Sequence, residues 1–263
     1  MRIGLVQITT GDNKMDNFHI AEQGIRKAAA EGASLVVCPE ATSQAFDTGR
    51  LDKQAEDLDG EFSTAMKELA DELGVVIVAG MFRPADTHGD INRVFNTALI
   101  TGRGMHQGYN KINTFDAFKF KESDTVKPGS ERVIIEVDGV QIGIAICFDI
   151  RFPQHFQDLA REGAEVIVVP TSWADGQGKL RQWRVLTAAR ALDSNVFIAA
   201  AGQARPGGDA EAGGESGPTG IGHSTLIDPF GEQVAELGYE FDVLVVDIDP
   251  ELTMKARKSL PVL

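Results

Sequence analysis

The run Val133-Ile134-Ile135-Glu136-Val137-Asp138-Gly139-Val140-Gln141-Ile142-Gly143-Ile144-Ala145-Ile146-Cys147 constrains this chain more than any other stretch. β-Branched residues on both sides of an Asp-Gly pair read as a hairpin closed by a tight turn. The second arm is apolar enough for a buried strand, and it ends on a cysteine followed at once by Phe148-Asp149-Ile150-Arg151-Phe152-Pro153. A thiol at the exposed end of a core strand is held rigidly and still meets a substrate. The competing reading makes Cys147 a small buried hydrophobe, the common condition of a free cysteine. The rest of the chain has to decide between them.

Elsewhere strand and helix patterns alternate. Residues 3–8 read as a first buried strand. Residues 16–31 read as an amphipathic helix with Asp16 as its cap and Phe18, Ile20, Ala21, Ile25, Ala28 and Ala29 on its apolar face. Gly32 stops it, residues 34–38 form a short apolar strand, and Pro39-Glu40 leaves a carboxylate just past that strand's end. The unit repeats with a helix at 62–73, Gly74 and a strand at 75–81; strands at 94–101 and 105–111 follow. Residues 112–130 have no clear period and read as a long loop, a feature usually kept for function. After the hairpin come a helix at 153–162 with Pro153 in its first turn, a strand at 165–170 leading into Thr171-Ser172-Trp173, a helix at 179–193 and a strand at 196–201.

Residues 205–222, rich in Gly, Pro, Glu and Ser, read as a mobile surface loop. Short strands at 223–227, 233–237 and 243–246 and a short helix at 250–258 finish the chain. Its apolar end, Leu260-Pro261-Val262-Leu263, is expected to dock on something. Too few residues follow the loop to bury a core of their own, so residues 1–263 read as a single domain. The alternation gives an α/β fold, and hairpins without intervening helices make its sheets mixed. Glu40, Cys147 and Thr171 all fall just past strand ends, where α/β sheets place their sites.

A formal charge of −14 over 263 residues argues against a nucleic-acid or anionic-membrane surface. No apolar run reaches membrane-spanning length. Two cysteines, Cys38 and Cys147, make no disulfide framework. The N-terminal residues pattern as a strand too short and interrupted for a signal segment, so the expected location is the cytoplasm. Neither a metal nor a cofactor is expected: there is no His-rich or Cys pair and no HExxH spacing, and Gly102-Arg103-Gly104 lacks the third glycine of a dinucleotide loop.

A cysteine nucleophile needs a base for its proton and a cation or dipole to favour the thiolate. Of His19, His88, His106, His155 and His223, none has a strand-end address, and His155, on the helix after Cys147, is expected to face solvent. That leaves a carboxylate as base and a lysine as cation. Glu40 follows Val36-Val37-Cys38-Pro39, where burial would raise its pKa towards a useful range. Lys111, in Tyr109-Asn110-Lys111-Ile112-Asn113, opens the long loop and is suited to stabilise a thiolate and then an oxyanion. Taken singly, each is equally a solvated charge.

Taken together, Cys38-Pro39-Glu40, Tyr109-Asn110-Lys111-Ile112 and Ile146-Cys147-Phe148-Asp149-Ile150-Arg151-Phe152-Pro153 resemble the three signatures of the nitrilase superfamily of carbon–nitrogen hydrolases, in order and spacing. The similarity runs over essentially the whole chain, including Gly163-Ala164-Glu165, the helix from Trp183 to Asp193, and Gly222-His223-Ser224 before Asp228-Pro229-Phe230-Gly231. The resemblance implies a four-layer αββα sandwich, paired as a homodimer. It makes Glu40 the general base, Cys147 the nucleophile, and Lys111 the oxyanion stabiliser, aided by the backbone N–H of Phe148. Glu122, in Lys121-Glu122-Ser123, matches the family's second glutamate, which positions the lysine. The implied reaction is attack on an amide carbon, loss of ammonia or an amine, and hydrolysis of the thioester.

Members acting on nitriles typically carry Cys-Trp-Glu, whereas Cys147-Phe148-Asp149-Ile150-Arg151 resembles the Nit-type amidase branch, with ω-amidase and deaminated-glutathione amidase activities. There the arginine grips a substrate carboxylate, a bidentate task suited to guanidinium, so Arg151 is the expected specificity residue. Thr171, Ser172 and Trp173 lie where the family lines its pocket. Two departures, Gln182-Trp183 where relatives often have His-Trp, and the Gly-rich insertion at 209–217, bear on the substrate. Rival readings are an N-carbamoyl amino-acid hydrolase, which also needs a carboxylate grip, and a catalytically silent binding protein on this fold. A Ser-Lys amidase, suggested by the Gly/Ser-rich residues 213–220, lacks the serine-lysine cluster.

Overall fold

A computed structural model of the chain describes residues 1–117 and 120–263. The first half runs β1 (Arg2–Gln7), α1 (Lys14–Ala30), β2 (Leu35–Val37), α2 (Glu61–Leu73), β3 (Val76–His88), β4 (Ile91–Gly102) and β5 (Met105–Asn110). A two-stranded ribbon follows, β6 (Asp116–Ala117) and β7 (Phe120–Lys121), and then a 3₁₀ turn at Glu122–Asp124. The second half runs β8 (Ile134–Val137), β9 (Val140–Ile144), a 3₁₀ turn at Cys147–Arg151, α3 (Pro153–Arg161), β10 (Val166–Thr171), α4 (Lys179–Ser194) and β11 (Phe197–Gly202). It closes with β12 (Thr225–Ile227), β13 (Gln233–Glu236), β14 (Asp242–Asp247) and α5 (Glu251–Ser259).

Two six-stranded mixed sheets result, ordered β14-β1-β2-β3-β4-β5 and β13-β12-β11-β10-β9-β8. In each, three neighbouring strands are parallel, β1-β2-β3 and β9-β10-β11, because a helix carries the chain back between them. The outer strands are antiparallel to their neighbours, joined by hairpins at β3-β4-β5, β8-β9 and β12-β13 but by long connections at β11-β12 and β1-β14. The β8–β9 turn falls on Asp138 and Gly139, at φ +52° and +77°, the left-handed pair that a two-residue hairpin requires. The last strands divide between the sheets: β12 and β13 extend the second, while β14 returns to pair with β1.

Strand alternation sorts the apolar side chains into layers. Ile3, Leu5, Leu35, Val37, Val76 and Val78 join a core shared with Ile142, Ile144, Val166 and Val168 of the second sheet. Val6, Val36, Cys38 and Ile77 point the other way, onto Phe18, Ala21 and Ile25 of α1 and Phe62 and Met66 of α2. The αββα sandwich is therefore two sheets packed face to face with helices outside.

Several local expectations change. The cap of α1 is Asn13, whose side chain accepts from the N–H groups of Met15 and Asp16; Asp16 itself lies in the first turn, where its charge suits the helix dipole. Residues 112–130 are not structureless, since the ribbon and the 3₁₀ turn occupy their middle; residues 118 and 119 lie outside the described residues. β9 ends at Ile144, so Cys147 opens a turn rather than closing a strand. Leu260, Val262 and Leu263 stand exposed after α5. Among the described residues, no helix is long and apolar enough to cross a membrane.

Candidate active site

Glu40 sits two residues past Cys38 in a sharp reversal, with Ala41 at φ +60°. The reversal lies against Gly80 of β3, where a Cβ would come within 2.5 Å of the Ala41 nitrogen and 2.6 Å of the Pro39 oxygen. Only a residue without a side chain allows that approach. The elbow is held by Gly80 N–H and Thr42 Oγ1, which both donate to the Pro39 carbonyl at 3.0 and 2.6 Å. Gln203 Nε2, at the end of β11, donates to the Glu40 carbonyl at 3.0 Å.

Lys111 follows β5 directly. Its Nζ lies 3.1 Å from Glu40 Oε1 and 3.1 and 3.0 Å from the two oxygens of Glu122, and all three side chains are almost fully buried. Glu122 is fixed in turn by the Phe115 N–H at 2.6 Å. Asn96 Nδ2, inside β4, donates to Glu40 Oε1 at 2.8 Å and reaches Glu122 Oε1 at 3.4 Å. The Ser172 N–H, one residue past β10, donates to Glu40 Oε2 at 2.9 Å, and the Ser172 carbonyl accepts from Cys147 Sγ at 3.8 Å. Glu40 past β2, Lys111 past β5, Glu122 in the turn after the ribbon and Cys147 in the turn after β9 thus meet at a single buried point.

The electrostatics follow from burial. Desolvation pushes the Glu40 carboxyl above its usual range; Lys111 opposes this and Glu122 adds to it. Burial also pulls down on Lys111, but the charges of Glu122 and Glu40 outweigh it and hold the ammonium protonated well above the ordinary lysine value. The Cys147 thiol is pushed up by burial first and by the Glu40 charge second, against the pull of Lys111. The site sets the Cys147 thiol, which burial and Glu40 disfavour as a thiolate, beside Lys111 and the two glutamates.

Cys147 has φ +41°, in the left-handed region that an L-residue occupies only under constraint. Buried Asp149 supplies the constraint. Its Oδ2 accepts from Ile146 N–H at 2.9 Å and Tyr109 OH at 2.7 Å, and its Oδ1 from the backbone and side-chain nitrogens of Asn113 at 2.9 and 2.8 Å. Tyr109 and Asn113 flank Lys111, so one carboxylate ties the lysine strand to the cysteine turn. His155 does not face solvent: it is buried, stacks on Tyr109 and brings Nε2 to 3.4 Å from the tyrosine hydroxyl. Burial lowers its pKa and keeps it neutral.

The remaining expected site residues surround this point unequally. The Phe148 N–H is among the first of the 3₁₀ turn, which have no acceptor inside it. Arg151 is half-buried, donates from Nη2 to Gln182 Oε1 at 2.9 Å and lies over the Trp173 and Phe148 rings at 5.0 and 6.0 Å. Among the described residues no carboxylate forms an ion pair with it. Trp173 is buried against Trp183. Ser172 acts through its peptide, its hydroxyl donating to Pro218 O at 2.6 Å. Thr171 turns its hydroxyl to the Val169 carbonyl at 3.1 Å.

Asn96, Asp149 and Gln203 are the contributors that sequence reasoning passed over. A lone amide in the apolar run Val94-Phe95-Asn96-Thr97-Ala98-Leu99 was the available signal for the first. No group of three or more His, Cys, Asp or Glu among the described residues would hold a metal ion, and Lys111 fills the space between the two glutamates.

The family model for carbon-nitrogen hydrolases matches residues 2–258. The chain is 44% identical to a hydrolase of Mycobacterium tuberculosis, over 100% of this chain and 94% of that protein. It is 31% identical to the omega-amidase NIT2 of Xenopus tropicalis, over 99% and 93%. Among solved structures, Saccharomyces cerevisiae Nit3, a member of branch 10 of the nitrilase superfamily, superposes with a TM-score of 0.82 at 27% identity, covering 100% of this chain and 94% of that one.

Proposed function

The chain belongs to the carbon-nitrogen hydrolase family, in the Nit-type branch of the nitrilase superfamily, and acts on amide bonds; within that, we propose that it hydrolyses a small carboxylate-bearing amide through a thioester on Cys147. The observation that carries the reading is the convergence of the Cys147 thiol with Glu40, Lys111 and Glu122 in one buried cluster. Burial and the Glu40 charge disfavour the thiolate, so Glu40, beside the thiol, takes its proton as sulfur attacks the amide carbon. Negative charge develops on the amide oxygen, and the Lys111 ammonium and the Phe148 N–H stabilise it. Glu40 then passes the proton to the leaving nitrogen, ammonia or an amine departs, and the same carboxylate activates the water that cleaves the thioester. Glu122 and Asn96 keep Lys111 and Glu40 in place through both halves.

Arg151 sets the substrate class. Its guanidinium stands between the ring after Cys147 and the ring after Ser172, with an amide oxygen rather than a carboxylate as its partner. A substrate carboxylate on the far side of the reacting amide fits that position. The test is ammonia release from 2-oxoglutaramate, deaminated glutathione, an N-carbamoyl amino acid, a neutral aliphatic amide and a nitrile, in wild type, Cys147→Ala and Arg151→Ala. Turnover of an ω-amide that disappears with Cys147→Ala and loses mainly affinity with Arg151→Ala supports the reading. Turnover of only the neutral amide or the nitrile defeats the role given to Arg151, and preference for the carbamoyl compound moves the protein to that activity.

A further inference from the structure

The Gly-rich stretch expected to be a mobile surface loop is bonded along its length to the segment that carries Ser172. Arg205 Nε and Asp175 Oδ2 form an ion pair at 3.2 Å, with side chains only 7% and 1% exposed. Asp175 also accepts from the N–H groups of Gly176 and Gly213, at 2.7 and 2.8 Å. Arg205 donates to the carbonyls of Glu211 and Gly214, each at 3.3 Å. Ser216 Oγ accepts from the Asp175 N–H at 2.9 Å, Ser172 Oγ donates to the Pro218 carbonyl, and the Gly220 N–H donates to the Trp173 carbonyl at 3.1 Å. Glu215 covers Gly176 so closely that a Cβ there would come within 2.7 Å of its carboxyl group. Residues 211–220 and 172–176 therefore form one unit, clamped at Arg205 and Asp175.

A buried ion pair is a poor stabiliser, because desolvation largely cancels the attraction. What it does impose is geometry. Three residues before Asp175 lies the Ser172 peptide, which touches both reacting side chains, its N–H on Glu40 and its carbonyl on Cys147. We propose that Arg205 and Asp175 are a positioning pair for hydrolysis: by clamping the Gly-rich insertion onto residues 172–176 they hold the Ser172 peptide, and through it Glu40 and Cys147, in register. The role rests on the thiol amidohydrolase reading, and neither residue touches the reacting atoms. Without Arg205, Asp175 is left buried with no counter-charge, the Glu211 and Gly214 carbonyls lose their donor, and the segment behind Ser172 is free to shift. A displacement of about 1 Å at a catalytic group costs roughly 100-fold in rate.

The experiment compares wild type, Arg205→Ala, Arg205→Lys and Asp175→Asn. It measures the rate and pH dependence of Cys147 alkylation by iodoacetamide, which needs no known substrate, together with kcat and KM for ammonia release and the melting temperature. Folded Arg205→Ala is expected to lower both the alkylation rate and kcat by about 10- to 100-fold with little change in KM. Its acidic limb should move up, because Glu40 loses a hydrogen bond that favours its ionised form while Lys111, Glu122 and Cys147 around it are unchanged. Arg205→Lys should recover most of the rate. A folded Arg205→Ala with wild-type alkylation and an unmoved limb overturns the proposal. If that variant does not fold, the milder Asp175→Asn, which keeps an acceptor for Gly213, decides: a slower rate and raised limb uphold the role, and wild-type values end it. Should the wild type alkylate normally yet hydrolyse no amide in the panel, the proposed substrate falls outside these compounds, and the alkylation limb alone still upholds or overturns the positioning role.

Discussion

Cys38 and Cys147 occupy comparable places in the two sheets, each leaving the carboxyl end of a strand paired in parallel with a neighbour. Alternation turns Cys38 away from the seam, into the layer of Phe18, Ile25, Phe62 and Met66, and burial alone pushes its thiol up to about 12. Cys147 is also buried, though 7% exposed against 0% for Cys38, and its thiol is also raised, yet it lies in the seam, beside Glu40 and Lys111. Burial raises both thiols, so neither is favoured as a thiolate. What separates them is a proton acceptor and a fixed cation within reach, so reactivity here comes from the neighbours and not from an acidic thiol.

The sharpest way to break the comparison is to exchange the fates of the two thiols. Cys147→Ala should lower amide hydrolysis by at least about 10⁴-fold, measured as ammonia release, while Cys38→Ala stays within about twofold of wild type. Comparable losses in both would mean that the reacting thiol has been misplaced. Next in size, Glu40→Gln removes the acceptor and should cost roughly 10²- to 10⁴-fold in kcat, with alkylation of Cys147 slowing in parallel. Fast alkylation in that variant would show that the thiol ionises without Glu40. Gly80→Ala should cost about 10- to 100-fold, because the added Cβ collides with backbone at Pro39 and Ala41 and must displace the Glu40 elbow; full activity would mean that the elbow tolerates the shift.

A gentler probe is pH. Glu40 works as a base only when ionised, and burial holds its pKa above the ordinary 4.5. Activity should therefore appear, as pH rises, above that value, and a kcat/KM limb at or below it would assign the titration to another group. The smallest effect on turnover belongs to Cys38→Ser. A hydroxyl in that apolar layer should lower unfolding stability by about 1–3 kcal/mol in a denaturant titration and leave the rate alone.

Much of the site could be read from the chain because its parts are local. Glu40 and Cys147 stand beside short apolar strands, and strand ends in α/β sheets are where polar side chains converge. The hairpin at Asp138-Gly139 and most helices were equally legible from period and turn chemistry, within a few residues at the ends. Asn96 was not, because a single amide within a strand gains meaning only when another strand brings a carboxylate against it. The burial of His155 is not local information, because helix position alone does not reveal that Tyr109, 46 residues earlier, covers its ring. Asp149 lay in plain view inside a recognised motif, but its four bonds reach back to Tyr109 and Asn113 as well as to Ile146.

The insertion at 209–217 marks the same boundary. Composition described a loop, and nothing local indicated that Arg205 and Asp175, thirty residues apart, would be buried together and fasten that loop behind Ser172. By itself the sequence determined the layers, the turns and the residue types at the strand ends, since periodicity and backbone sterics act over a few residues. Which thiol faces a base, which carboxylate holds the lysine and which loop braces the site were decided only when the two sheets packed, because burial and charge pairing depend on groups that meet across the fold.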